Sequence, residues 1–257
     1  MPAQRTAPLL GLAAALTMLV SAPPAGAQPN ELVEEGRRLY AEDCVSCHGP
    51  QGEGVVPASP GRGAGGVTGA GPPLLDAGAA SVDFYLSTGR MPLSSPDEQP
   101  RRGEPKYDAA QIEALIAYVA SLGASGDPVP EVDAKSGDVG RGLELFTLYC
   151  AGCHQIVAEG GMVTGAVAPS LFEATPTQIA ESVRIGPYVM PSFDEGLIDD
   201  RELNDLIRYV EYAREPDDRG GWALGHIGPI PEGAVAWLVA GGALVLVALV
   251  IGERARR

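Results

Sequence analysis

The stretch Cys44-Val-Ser-Cys47-His48 returns later in the chain as Cys150-Ala-Gly-Cys153-His154, and these two stretches decide the fold. Two cysteines separated by two residues and followed directly by histidine form the attachment signature of c-type haem. Each thiol bonds one vinyl group of the porphyrin, and the histidine lies under the iron as its proximal ligand. We therefore predict two covalently bound haem c groups, with His48 and His154 as axial ligands of the two irons.

A Cys-x-x-Cys pair can also be half of a zinc site or a redox dithiol. A zinc ribbon has its two cysteine pairs close together in sequence, whereas more than a hundred positions lie between Cys47 and Cys150. Neither alternative requires a histidine after each pair. Haem attachment also accounts for all four cysteines of the chain.

The composition is acidic and poor in large apolar side chains. The 257 residues carry a formal net charge of −15, and only 5% of them are aromatic. A chain of this length fits one large domain or two small ones with extra segments. Porphyrins would supply much of the missing apolar interior, so we expect neither half to fold stably without haem. Nucleic acid is excluded as a partner because phosphate binding needs a basic face. The acidic surface could steer a basic redox partner, although surface hydration explains most of the charges equally well.

Residues 1–27 are predicted to be an export signal. Arg5 provides a positive n-region, residues 7–22 an apolar run, and Ala25-Gly26-Ala27 a cleavage site. An uncleaved N-terminal anchor is the alternative. Either segment sends the following residues out of the cytoplasm, which agrees with haem attachment outside the bacterial cytoplasm.

The first predicted domain covers residues 28–123. A helix over 31–43 would lead into Cys44, and the glycine-rich stretch 49–71 would form a loop at the haem edge. A short helix over 81–86 then leads into Ser87-Thr-Gly-Arg-Met91-Pro92. Met91 is the candidate sixth iron ligand, with an ordinary core methionine as the alternative. A charged, proline-rich insertion over 93–107 and an amphipathic helix over 111–122 complete the domain.

A linker is predicted over residues 124–137, and a second domain over 138–215 repeats the first. Gly140-Arg141-Gly142-Leu143 through Tyr149 is predicted to form the helix into Cys150, as Gly36-Arg37-Arg38-Leu39-Tyr40 does into Cys44, and Met190-Pro191 corresponds to Met91-Pro92. A closing helix over 202–212 has the apolar spacing of its counterpart. Five elements recur in the same order, which indicates an internal duplication. The repetition favours Met91 and Met190 as iron ligands over core residues.

The chain changes character after residue 215. Residues 216–232 are predicted to be a hinge and interfacial segment, and 233–252 lack any charge, enough for a helix of about 30 Å that spans a bilayer. The tail 253–257 contains three arginines, which place the C-terminus in the cytoplasm and the haem domains outside. His226 has no counterpart in the repeat. We interpret it as a surface or interfacial residue, with an extra ligand as the alternative.

Residues 30–214 resemble class I cytochrome c twice over, through the first helix, the Cys-x-x-Cys-His, the later Pro-x-Leu, the Met-Pro and the closing Leu-Ile-x-Tyr-Val. The resemblance implies an all-α fold of two tandem cytochrome c domains plus one C-terminal transmembrane helix. It also implies that the carbonyls of Pro72 and Pro169 accept hydrogen bonds from the two histidines. Tyr118 and Tyr209 would pack where the first and last helices of each domain cross.

The layout as a whole resembles the dihaem cytochrome c subunit of the actinobacterial-type menaquinol–cytochrome c reductase. That resemblance implies a respiratory complex with a cytochrome b subunit, a Rieske iron–sulfur subunit and a terminal oxidase as partners. The chain would relay electrons from the Rieske protein to the oxidase. The C-terminal haem would receive them and the N-terminal haem would pass them on.

Two other functions stay open at this point. An enzyme acting on a small sulfur or nitrogen compound, or a dihaem peroxidase, needs an open sixth position on one iron, and Met91 and Met190 argue against it. A membrane-tethered dihaem shuttle would serve several partners, but the stretch 217–221 is short for a shuttle that needs reach. We find no catalytic side-chain constellation, so this chain itself would only transfer electrons.

Overall fold

The computed structural model describes residues 29–55, 71–95, 98–217 and 229–256. The predicted export signal, most of the loop 49–71 and the part of the hinge that contains His226 lie outside them. The chain divides into two compact units, Met1–Val129 and Pro130–Arg257. We describe each unit by itself.

The first unit is built from four helices: α1 Pro29–Asp43, α2 Val45–His48, α3 Ala79–Ser87 and α4 Ala109–Ser121. Helix α4 starts earlier than the apolar spacing predicts, because Asp108 and Gln111 form a capping box at its N-terminus. The core side chains of this unit come from α1, α3, α4 and the residue before the cap. They are Leu39, Tyr40, Leu86, Tyr107, Ile112, Leu115 and Val119.

The second unit repeats this arrangement and adds a small sheet. After a short 3-10 helix, Ala134–Ser136, come α5 Val139–Tyr149, α6 Ala151–His154, β1 Gly161–Val163, β2 Ala166–Ala168, α7 Pro176–Ile185 and α8 Asp200–Arg214. The all-α fold class is confirmed except for the antiparallel pair β1–β2, in which Met162 lies opposite Val167. Strands of three residues are too short to produce a recognisable alternation in the sequence.

Helices α1 and α4 of the first unit, and α5 and α8 of the second, cross at a glycine. A Cβ on Gly36 would lie 2.0 Å from the carbonyl oxygen of Ala114, and one on Gly142 would lie 2.0 Å from that of Asp205. By contrast, a Cβ on Gly140 would meet only a carboxylate oxygen of Asp138, at 3.2 Å. The counterpart of Gly36 is therefore Gly142, and the alignment of Gly36-Arg37 with Gly140-Arg141 was wrong. Close helix packing, which needs a missing side chain, decides the register.

The predicted linker 124–137 is hydrogen-bonded at both ends. In the first unit, Ser125 N donates to Leu75 O at 3.1 Å and Ala80 N donates to Asp127 O at 3.0 Å. In the second unit, Asp133 N donates to the Asn204 side chain at 2.8 Å. Only a few residues around the boundary at Val129 and Pro130 thus separate the two anchored stretches.

The C-terminal helix α9 covers Pro229–Ala255. Its segment Gly233–Ala255 contains an 18-residue window with a mean hydropathy of 2.7, and that window is not buried against the rest of the chain. Within the described residues it is the one helix long and apolar enough to cross a membrane. Trp237 shows the pattern, since 82% of this large side chain is exposed. Such a surface needs lipid or a partner to cover it.

Candidate haem sites

Each Cys-x-x-Cys-His segment forms one tight turn after a longer helix. Cys44 and Cys150 have nearly the same backbone angles, φ −112° and ψ −35° in the first and φ −118° and ψ −38° in the second. His48 N donates to Cys44 O at 2.8 Å, and His154 N donates to Cys150 O at 2.9 Å. The four cysteines form no disulfide. Both turns therefore present two free thiols and a histidine in the same relative order in space.

The Nδ1 atom of each histidine faces a proline carbonyl. The distance is 2.8 Å from His48 to Pro72 O and 3.0 Å from His154 to Pro169 O. A carbonyl oxygen can only accept, so Nδ1 carries the proton and Nε2 keeps its lone pair. Burial lowers the pKa of both histidines, and the hydrogen bond to the proline carbonyl offsets part of that effect. The neutral imidazole that results is the form that binds iron.

Two glycines let the proline segments reach the histidine turns. A Cβ on Gly71 would lie 2.6 Å from Cys47 O and 2.7 Å from His48 Nδ1. A Cβ on Gly160, which has φ +81°, would lie 2.4 Å from Ala168 O. These approaches leave no room for a side chain, and the φ of Gly160 is one that other residues rarely adopt. The prolines were predicted from the sequence, whereas the role of the two glycines was not.

The tyrosines named from the resemblance lie in aromatic pairs at the helix crossings. The ring of Tyr118 is 5.1 Å from that of Tyr40, and the ring of Tyr209 is 5.2 Å from that of Phe146. Tyr40 OH donates to Gly49 O at 2.8 Å, just after the first haem motif. Tyr40 is an apolar position of the predicted first helix, but the hydrogen bond from its hydroxyl was not predicted. The position of Tyr40 four residues before Cys44, equivalent to Phe146 before Cys150, was the available signal.

Tyr209 has the corresponding role in the second unit. Its hydroxyl donates to Ile156 O at 2.5 Å, two residues after His154. Each unit thus anchors the chain beyond its histidine with one buried tyrosine hydroxyl. The hydroxyl comes from α1 in the first unit and from α8 in the second.

The two methionines lie in the apolar cores of their own units. Met91 is partly buried and packs against the same cluster as Cys44, and Met190 is partly buried and packs against the cluster that includes Cys150. The residue two positions before each methionine is left-handed, with φ +64° at Gly89 and +63° at Tyr188. The hydrogen bonds of the two turns differ, since Met91 N donates to Tyr85 O at 3.0 Å and Met190 N donates to Pro187 O at 3.1 Å.

These features fit haem c: free thiols on one turn, an imidazole with an available Nε2, and a methionine in the same apolar core. When bound, haem supplies a one-electron iron couple. Among the described residues there is no cluster of three or more His, Cys, Asp or Glu side chains arranged to hold a bare metal ion. The donor set of each unit is thus suited to a porphyrin-bound iron.

Comparisons with known proteins give the same assignment. Residues 33–123 match the family model described as cytochrome c, and 137–210 match the one described as cytochrome C oxidase, cbb3-type, subunit III. The cytochrome bc1 complex cytochrome c subunit of Mycobacterium tuberculosis is 36% identical over 252 residues, which are 95% of this chain and 86% of the relative. That of Corynebacterium diphtheriae is 35% identical over 249 residues, 90% of this chain and 84% of the relative.

A solved structure, the reducing HAO-like protein complex of Kuenenia stuttgartiensis, is far more distant. It is 19% identical with a TM-score of 0.34, over 70% of this chain and 96% of that chain. The curated relatives, by contrast, match across both haem units and most of the remaining chain. On that extent of similarity, this chain belongs to the family of cytochrome c subunits of the cytochrome bc1 complex, and it is a membrane-associated electron-transport cytochrome with two cytochrome c domains.

Proposed function

We propose that this chain relays single electrons through two covalently bound haem c groups within a quinol-oxidising complex. The observation that carries the proposal is the repeated contact of a histidine Nδ1 with a proline carbonyl, 2.8 Å in one unit and 3.0 Å in the other. This contact keeps each Nε2 free for iron and fixes the plane of the ring. Two equivalent sites in one chain suit a relay better than a single catalytic centre.

Each iron would have one histidine and one methionine as axial ligands. Cys44 and Cys47 would bond the first haem, and Cys150 and Cys153 the second. His48 and Met91 would then ligate the first iron, and His154 and Met190 the second. A thioether opposite histidine raises the reduction potential and closes the sixth position, which suits electron transfer rather than substrate binding.

The partners would be a cytochrome b subunit, a Rieske iron–sulfur subunit and a terminal oxidase. Electrons would pass from the Rieske protein to this chain and on to the oxidase. The haem of the second unit would receive them, because that unit directly precedes the membrane helix. Helix α9 would anchor the chain with its arginine-rich C-terminus in the cytoplasm and both haem units outside.

The first test is a count of haems and of their ligands. Mass spectrometry of the mature protein should find two haems bonded to the polypeptide, one on each cysteine pair. Met91→Ala and Met190→Ala should each remove about half of the methionine-to-iron charge-transfer band of the ferric protein and lower one midpoint potential. Fewer than two haems, or two unchanged potentials, would contradict the proposal.

The second test concerns the complex. Purification in a mild detergent through an affinity tag on this chain should bring cytochrome b and Rieske subunits with it, together with quinol oxidation activity. Deletion of residues 229–257 should release both haem units in soluble form with their visible spectrum unchanged. A full-length chain that purifies alone, with both haems reduced directly by several soluble donors, would instead identify a tethered shuttle.

A further inference from the structure

The insertion over residues 93–107 makes the segment between the methionine and the closing helix longer in the first unit than in the second. In the first unit it separates Met91-Pro92 from helix α4, whereas Met190-Pro191 in the second unit is followed closely by α8. The insertion returns to the haem-binding segments at two places, and the first is the turn before Met91. Gly103 N donates to Thr88 O at 3.1 Å, and a Cβ on Gly89 would lie 2.3 Å from Gly103 O.

The second place is the residue before the first attachment cysteine. Lys106 Nζ lies 2.6 Å from one carboxylate oxygen of Asp43, and Tyr107 OH donates to the other oxygen at 2.6 Å. Tyr107 is only 6% exposed and belongs to the apolar cluster against which Cys44 and Met91 pack. The insertion therefore links the segment with the candidate sixth ligand to the segment with the thiols and His48.

The second unit makes an equivalent link with different chemistry. Tyr149 occupies the position of Asp43, and its ring is 5.7 Å from that of Phe193, which follows Met190-Pro191. Arg184 donates to Phe193 O at 3.0 Å and to Ile198 O at 2.7 Å, with a side chain that is only 8% exposed. Both units thus tie the residue before the first cysteine to the loop after the methionine.

An exposed ion pair by itself would carry little weight, since such pairs contribute from zero to about 1 kcal/mol. The contact at Asp43 differs because the carboxylate also accepts from the hydroxyl of a buried tyrosine. Removing the acceptor leaves that hydroxyl unsatisfied inside the core. A thioether is also a weak ligand whose bond to iron depends on how well the chain pre-orients it.

We propose that residues 103–107 form a strap, closed by Asp43 on Lys106 and Tyr107, that holds Met91 on the iron of the first haem. Asp43 and Tyr107 are then positioning residues that act through Met91. This inference rests on the proposed ligation by Met91. The second haem does not depend on them, because its methionine loop is held by Arg184 and by the contact of Tyr149 with Phe193.

The experiment uses the full-length holoprotein in detergent, with haem content measured first. The variants are Asp43→Asn and Tyr107→Phe. Glu42→Gln is the matched control, because it removes the same charge one residue away from an exposed pair with Arg38. The readouts are the methionine-to-iron band of the ferric protein and the affinity for imidazole, which competes with methionine for the sixth position.

Asp43→Asn and Tyr107→Phe should bind imidazole at one haem roughly tenfold more tightly than the wild type, since each loses a hydrogen bond to a charged or buried group. They should also lose part of one haem's share of the band, while Glu42→Gln behaves as wild type. If Asp43→Asn fails to retain its first haem, Tyr107→Phe, which leaves the attachment segment unchanged, decides alone.

Met91→Ala separates the test of iron ligation by Met91 from the test of the strap. If it removes half the band but Asp43→Asn and Tyr107→Phe match Glu42→Gln in both readouts, the strap is wrong and the ligation stands. If Met91→Ala leaves the band intact, Met91 is not the ligand, and the proposal of the strap is then wrong as well. A change confined to the second haem in Asp43→Asn would equally overturn the proposal.

Discussion

The two haem units agree in the contacts next to the histidine and differ in the contacts that support the rest of the site. The proline carbonyl lies 2.8 Å from His48 in one unit and 3.0 Å from His154 in the other. The supporting hydroxyl, however, comes from α1 in the first unit and from α8 in the second. The loop after the methionine contacts the carboxylate of Asp43 in the first unit and the buried side chain of Arg184 in the second. Coordination geometry tolerates little variation, whereas several kinds of contact can brace the same loop.

A substitution at the crossing of α5 and α8 should have the largest effect on the free energy of unfolding. Gly142→Ala should destabilise the second unit by more than about 3 kcal/mol, because the added Cβ meets the backbone of Asp205, which cannot move aside. Gly140→Ala is the matched control and should be neutral or slightly stabilising. Denaturant unfolding of the holoprotein, followed by the spectrum of each haem, measures both. Equal effects at the two positions would break the equivalence of Gly142 with Gly36.

Removing the buried side chain of Arg184 should have the second-largest effect on stability. Arg184→Met should cost the second unit about 2 to 3 kcal/mol, because the carbonyls of Phe193 and Ile198 lose a charged donor in a buried place. The first unit should keep its stability and its spectrum. Arg208→Gln, which breaks only an exposed contact with Glu211 at 3.6 Å, serves as the control. A loss of stability in both units would mean that the contacts of Arg184 in the second unit also support the first unit.

The hydrogen bonds from the Tyr40 and Tyr209 hydroxyls should each contribute about 1 kcal/mol to the free energy of unfolding. Tyr40→Phe should destabilise the first unit and Tyr209→Phe the second, each by that amount, since each variant loses a buried hydrogen bond to a backbone carbonyl. Tyr118→Phe is the matched control, because its described contact is the ring pair with Tyr40. Thermal unfolding of each variant measures these contributions. A larger loss in Tyr118→Phe than in Tyr40→Phe would reverse the assignment.

The dependence of stability on acidic pH should be the smallest difference between the two units. Hydrogen bonds from Lys106 and then Tyr107 lower the pKa of Asp43 below its ordinary value. A carboxylate with a lowered folded-state pKa stabilises the fold at pH above the unfolded value of about 3.9, and that stability is lost as the pH falls through the folded value. We expect less than about 1 kcal/mol because the pair is partly exposed.

This acid-dependent stability should be confined to the first unit, because Tyr149 stands in the place of Asp43 in the second. Stability of the wild type and of Asp43→Asn, measured from pH 6 down to pH 3, checks the prediction. The wild type should lose its advantage over the variant at the acid end. An advantage that stays constant over this range would show that the charge of Asp43 contributes nothing.

The sequence predicted the parts of the molecule that depend on local order. The two haem motifs, the Pro-x-Leu and Met-Pro elements and the charge-free C-terminal segment are read directly along the chain. The resemblance to the family and the all-α class of two cytochrome c domains with one C-terminal helix were confirmed. Iron ligation by Met91 and Met190, the domain limits and the side of the membrane stay predictions.

Contacts between distant residues escaped the sequence for a physical reason. Nothing in the order of residues says that Gly142 rather than Gly140 lies under α8, that Gly71 packs on His48, or that Asp43 meets Tyr107. Each depends on where a helix comes to lie against another segment many positions away, and one missing Cβ or one hydroxyl decides it. The chemistry of the sites is thus a property of short motifs, because covalent spacing sets it. The support that keeps each site in shape is a property of the tertiary structure, because only packing brings those atoms together.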